Sequence, residues 1–78
     1  MPYAYPAAII ITDHTQAYTG RFGKVVALKN STVDLVAENI TENTSSTISG
    51  IPLHHSAEIC GVITSITLAS GQVIAYYL

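Results

Sequence analysis

The sequence predicts an all-β protein: a small antiparallel sandwich or barrel-like sheet completed by contacts between subunits. Three observations predict it. Val, Ile, Thr and Tyr recur along the chain, and these residues suit a pleated, half-buried surface. Residues 32–38 alternate strictly, with Val33, Leu35 and Ala37 on one face and Thr32, Asp34 and Glu38 on the other, the period of a half-solvated strand. No window combines a 3.6-residue apolar period with helix caps. Oligomer contacts follow from composition. Charged residues are 10% of the 78 and hydrophobic residues 49%. A chain this short buries only about 60–65% of its unfolded surface, so apolar patches stay exposed unless partners cover them.

The first section covers residues 1–21. Pro2 and Pro6 flank Tyr3 and Tyr5, and proline has no N–H to give to a ladder, so this start is extended or peripheral. Ile9, Ile10 and Ile11 read as a short strand buried on both faces, or as an arm docking on a neighbouring subunit. The domain is therefore 1–78, with 1–12 as an extended N-terminal arm. Gly20-Arg21-Phe22-Gly23 has the spacing of a GxxG phosphate loop, but its flanks predict strand, so it reads as a turn.

The middle section opens with a strand marked by Phe22, Val26 and Leu28, with Phe22 as a core anchor. Asn30-Ser31 is a turn, and 32–38 is the hairpin partner. "ITENTSSTISGIPL" reads as a loop or irregular edge strand with Ile48, Ile51 and Leu53 inward. The end of the chain reads as a terminal hairpin, Glu58–Leu68 and Gln72–Leu78, turning at Ser70-Gly71. Thr64, Ser65, Thr67, Ser70, Gly71 and Gln72 interrupt its apolar run, against the ~20 continuous apolar residues of a spanning helix. A membrane is therefore not expected as a partner. Val33, Leu35, Ile63 and Leu68 are the predicted core.

Chemistry is sparse. Arg21, Lys24 and Lys29 are the three basic residues and the net charge is −2, too little to neutralise several phosphates, which argues against nucleic acid. The single Cys60 excludes an internal disulfide and reads as a buried, inert thiol. His54 and His55 are neighbours that point apart in a strand, so one chain cannot readily grip a metal with both. On an oligomer axis, one of them would form a ring of imidazoles. Asp13-His14 has no nucleophile in an activating motif. No catalytic residue, metal ligand or cofactor is assigned. The opening "MPYAYPAAIII" lacks the basic start of a secretory signal, so Asn30, Asn39 and Asn43 read as turn and strand residues and not as glycan acceptors. Both ends are apolar and tyrosine-bearing, which suits an interface. Tyr3, Tyr5, Ile9, Ile10, Ile11, Tyr76 and Tyr77 are its candidate residues.

"TGRFG" and "ITLASGQVIAY", within a stretch running from about Asp13 to Tyr77, resemble small structural proteins of tailed bacteriophages, the capsid decoration or cement proteins and similar virion accessory proteins. The resemblance implies an all-β, non-enzymatic homo-oligomer, typically a trimer, seated on the major capsid protein at the virion surface and made in the host cytoplasm. It transfers no catalytic residue. Two other readings stand beside it. One is a tail or spike module that binds a cell-surface glycan. The other is a small scaffold protein acting inside the host.

Overall fold

The computed structural model describes residues 6–78, which form six strands and no helix: β1 (Ala7–Ile11), β2 (Ala17–Ala27), β3 (Ser31–Ala37), β4 (Thr47–Leu53), β5 (Glu58–Ser70) and β6 (Val73–Tyr77). All pairs are antiparallel, in the order β1-β6-β2-β5-β3-β4. The all-β class stands as expected from sequence.

The two long strands make the curvature. A straight 13-residue strand would run about 43 Å, against a longest molecular extent of 35 Å. β5 bends instead. Its start pairs with the end of β2, Glu58 against Val26, while its last residue, Ser70, pairs with Thr32 at the start of β3. Both ends of β5 thus return to the corner between β2 and β3. The bends fall at register shifts: Thr19/Phe22 and Phe22/Lys24 in the β2–β5 pairing, Val36/Ala37 in β3–β5. Such bulges let one strand serve two half-sheets that cross over a shared interior. One half-sheet is β1, β6, the end of β2 and the start of β5. The other is the start of β2, the end of β5, β3 and β4.

A single apolar cluster fills the space between them. Phe22, Val25, Val33, Ile63, Ile66, Leu68, Val73 and Ala75 are fully buried, with Ile11, Ala27, Leu35, Ala37, Ile48 and Leu53 nearly so. The predicted core residues Val33, Leu35, Ile63 and Leu68 are all among them, and Ile51 packs against the cluster from the edge strand β4. The radius of gyration, 11.5 Å, equals the ~11.5 Å expected of a compact chain of this length.

Several local expectations are corrected. β5 and β6 follow one another through Gly71-Gln72 but do not pair, because β6 crosses to the far side of β2. β2 and β3 are likewise not a hairpin, since β5 lies between them. Gly20–Gly23 is strand, not turn. The bulge there also reverses parity. Phe22 faces inward, but beyond Lys24 the inward residues are Val25 and Ala27, leaving Val26 half-buried and Leu28 exposed. The slip of one residue exchanges the faces. The triple isoleucine is buried on one side only: Ile11 is 1% exposed and Ile10 61%. Cys60 is exposed, because it sits on the outward side of β5 opposite Lys24.

The corner is held by Ser31, the buried polar residue among those described. Its hydroxyl donates to the Lys29 carbonyl at 2.6 Å and accepts from the Gln72 N–H at 3.1 Å. The Leu28 N–H reaches the Gln72 carbonyl and the His55 N–H reaches Asn30 Oδ1, both at 2.9 Å. Gly71, at φ +85°, passes so close that an added Cβ would lie 2.2 Å from Ser31 Oγ and 2.6 Å from the Asn30 carbonyl. That position requires glycine on both grounds.

Candidate interaction surface

Register builds two unlike outer faces. Across β1, β6, β2 and β5, Ala8 stands beside Tyr76, then Lys24, then Cys60. The next outward row is Ile10, Ile74, Val26 and Glu58. Leu28, 40% exposed, extends this face beyond β2. Ala8, Ile10, Ile74, Tyr76, Val26 and Leu28 therefore form one apolar outer patch, with charge only along the Lys24–Glu58 side. These two side chains stand 3.9 Å apart, and the Lys24 ammonium lies 5.9 Å from the Tyr76 ring centre. The ion pair borders the patch and contributes little by itself.

The opposite half-sheet presents hydroxyls. Thr19, Ser65, Val36 and Thr47 form one outward row, and Ala17, Thr67 and Asp34 the next. Thr64 Oγ1 donates to the Val36 carbonyl at 3.2 Å. A shallow cavity of about 220 Å³ opens here between Asp34, Thr47, Ser49, Ser65 and Thr67. The Asp34 carboxylate accepts from the Gly50 N–H at 2.6 Å. A more apolar cavity of about 280 Å³ lies beside the β3–β4 connection, under Ile40, Thr41 and Glu42 and against Ile48, Ile51 and Ile59.

The two edges of the sheet differ just as sharply. β4 is interrupted by a register shift between its pairs with Val33 and Leu35. Gly50 has φ +64°. Pro52 lacks an N–H, the Gly50 N–H is held by Asp34, and the Ser49 N–H by Glu42 Oε1 at 3.1 Å. β1, by contrast, pairs with β6 through five consecutive residues without a shift, and no described strand pairs with its far side. It carries no charge and no proline.

The sequence-predicted interface residues separate on this frame. Ile10 and the half-buried Tyr76 lie on the apolar outer face. Ile9 and Ile11 turn inward, and Ile11 belongs to the core of its own chain. Tyr77 is half-buried with its ring 4.9 Å from that of Phe22. Tyr3 and Tyr5 lie outside the described residues. Residues 7–11 form part of the chain's own sheet, as does β6. Ala8, Val26, Leu28 and Ile74 were not among the interface residues read from sequence, where Val26 and Leu28 stood only as marks of an apolar strand. Alternation within "QVIAYY" places Ile74 with Tyr76, but only cross-strand register brings Val26 and Ile10 beside them.

The chemical groups lie apart from this surface. Asp13 accepts from the Thr15 N–H at 2.9 Å, from the Thr15 hydroxyl, and from the Tyr18 hydroxyl at 3.0 Å. The Thr15 hydroxyl and amide, then the Tyr18 hydroxyl, hold its carboxyl below the ordinary aspartate value. His14 Nε2 lies 3.1 Å from the Gly71 carbonyl. This cluster fastens the loop after β1 to the corner after β5. His54 and His55 are exposed in the connection from β4 to β5. Among the described residues, no three His, Cys, Asp or Glu side chains group as metal ligands. No helix of the described residues is long and apolar enough to cross a membrane. No family model, characterised protein or solved structure matches the chain.

Proposed function

We propose that this chain is a small structural, non-enzymatic protein of a tailed-bacteriophage virion, which associates with itself and decorates or cements the capsid through its apolar outer face. One observation carries the reading. The molecule has two unlike faces, an apolar one over β1, β6 and β2 and a hydroxyl-lined one over β5, β3 and β4. Such a division suits a protein laid on a larger assembly, with one side dry and the other in water. The resemblance of "TGRFG" and "ITLASGQVIAY" to capsid decoration proteins supplies the partner, the major capsid protein, and the homotrimer typical of them. The site of action is then the capsid surface, after synthesis in the host cytoplasm.

The test is co-sedimentation of the purified chain with capsids of the phage that encodes it, together with mass spectrometry of its purified virions. Presence in virions at a fixed ratio to the capsid protein, and loss of binding on Ile74→Lys, is the expected result. Absence from virions would overturn the reading. A second reading, a module binding a cell-surface glycan, draws on the hydroxyl-lined cavity at Asp34. Retention on a glycan array, abolished by Asp34→Ala and untouched by Ile74→Lys, would favour it.

A further inference from the structure

We infer that the β1 edge is a self-pairing edge: two copies of this chain join β1 to β1 antiparallel about a two-fold axis, extending one sheet across both molecules. The inference rests on the reading of this side as an interface, but not on a capsid being the partner, and it departs from the homotrimer that the resemblance implies. Natural sheets protect their edges with bulges, prolines and charges placed on the exposed strand. β4, though uncharged, has a register shift, Pro52, and a Ser49 N–H engaged by Glu42. β1 has none of them, and its outward Ile10 is 61% exposed.

The same asymmetry selects the occupant. A ring built head to tail would join β1 of one copy to β4 of the next. The blocked β4 edge refuses that pairing. β1 against β1 needs no charge to meet its like, since Ala7–Ile11 carries none. The join places the two apolar outer faces side by side, so the patch around Ile10, Ile74 and Tyr76 doubles. A pair of five-residue strands contributes far fewer residues than the roughly 20–30 a side of a stable interface. The pairing is therefore weak and concentration-dependent in solution.

Sedimentation of the full chain from micromolar to millimolar concentration tests this, with a cysteine scan of residues 7–11 in a Cys60→Ser background. In an antiparallel pair of identical strands, one residue lies opposite its own copy. Mass should rise from monomer to dimer, and disulfide-linked dimer should peak at one position. Ile10→Lys should raise the dissociation constant at least tenfold, with the far-ultraviolet spectrum unchanged. A monomer throughout, a trimer, or crosslinking uniform across 7–11 would overturn the inference. Capsid co-sedimentation is scored separately. A β1-linked dimer that ignores capsids overturns only the capsid reading, and a monomer that binds them overturns only the edge pairing.

Discussion

Thr44 is the residue most at odds with its own backbone. The Glu42–Ser45 bridge closes on a two-residue turn in which Asn43 and Thr44 both have positive φ, 53° and 80°. That is the geometry of a type I′ turn, where Asn is tolerated and glycine preferred at the second place. A β-branched residue there costs roughly 1–2 kcal/mol, of which glycine's entropy in the unfolded chain returns part. Thr44→Gly should therefore stabilise by roughly 0.5–1 kcal/mol, read as a melting temperature higher by about 2–8 °C. Gly71→Ala should act oppositely. Positive φ and the contact with Ser31 and the Asn30 carbonyl predict a loss of roughly 2 kcal/mol or more. Asp13 gives a pH signature. Its folded pKa is depressed, so its hydrogen bonds contribute above the unfolded value, near 3.9, and are lost as pH falls through the folded value. The Thr15 amide resonance should shift only below about pH 4.

At the scale of the element, β2 shows why local pattern misleads. Its inward residues are Phe22, then Val25 and Ala27, because a register shift intervenes. Val25→Thr should cost roughly 1–3 kcal/mol, since it buries a hydroxyl in the core. Val26→Thr should change stability by less than about 0.5 kcal/mol. Equal effects in chemical denaturation would place the bulge elsewhere. Ile63 lies where β5 pairs with Phe22 on one side and Ala37 on the other. Ile63→Ala should cost roughly 2–5 kcal/mol, enough to unfold a domain this small. The β3 alternation was legible because Val33, Leu35 and Ala37 meet one face of the core without interruption. The parity of β2 was not, since a bulge leaves no residue-type signature when Val stands at both 25 and 26. Pairing was legible only in its turns. Ser70-Gly71 does reverse the chain, but a turn does not say whether the next strand lies beside the last one or beyond its neighbour. The apolar patch was half visible for the same reason: Ile10 and Tyr76 stand out by type, Val26 and Ile74 only by register.

For the whole molecule, the division into an apolar and a hydroxyl-lined face has a measurable consequence. Ile74 and Ile10 are on the outside of the sheet, so lysine there should leave the melting temperature within a few degrees. The same substitutions should reduce binding of a hydrophobic dye and any self-association. Thr19→Lys and Ser65→Lys, on the other face, should leave both unchanged. If the four variants behave alike, the two faces are not functionally distinct. The far-ultraviolet spectrum should be that of strand throughout, as the six described strands require.

The last strand of the chain is a central strand of the sheet. β6 lies between β1 and β2, and its Val73 and Ala75 are fully buried. As the chain grows, β1 and one side of β2 emerge long before β6, the strand that pairs with both. Until then the chain holds two open apolar edges, the condition under which nascent β proteins aggregate. With its neighbouring strands so far apart in sequence, folding belongs to the slow, millisecond-to-second class. A variant that lacks β6 should accumulate as insoluble protein, and supplying residues 73–77 as a separate peptide should restore some of it to solution. β6 thus decides when the apolar face exists at all, since Ile10, Ile74 and Val26 form one row only after it has entered the sheet.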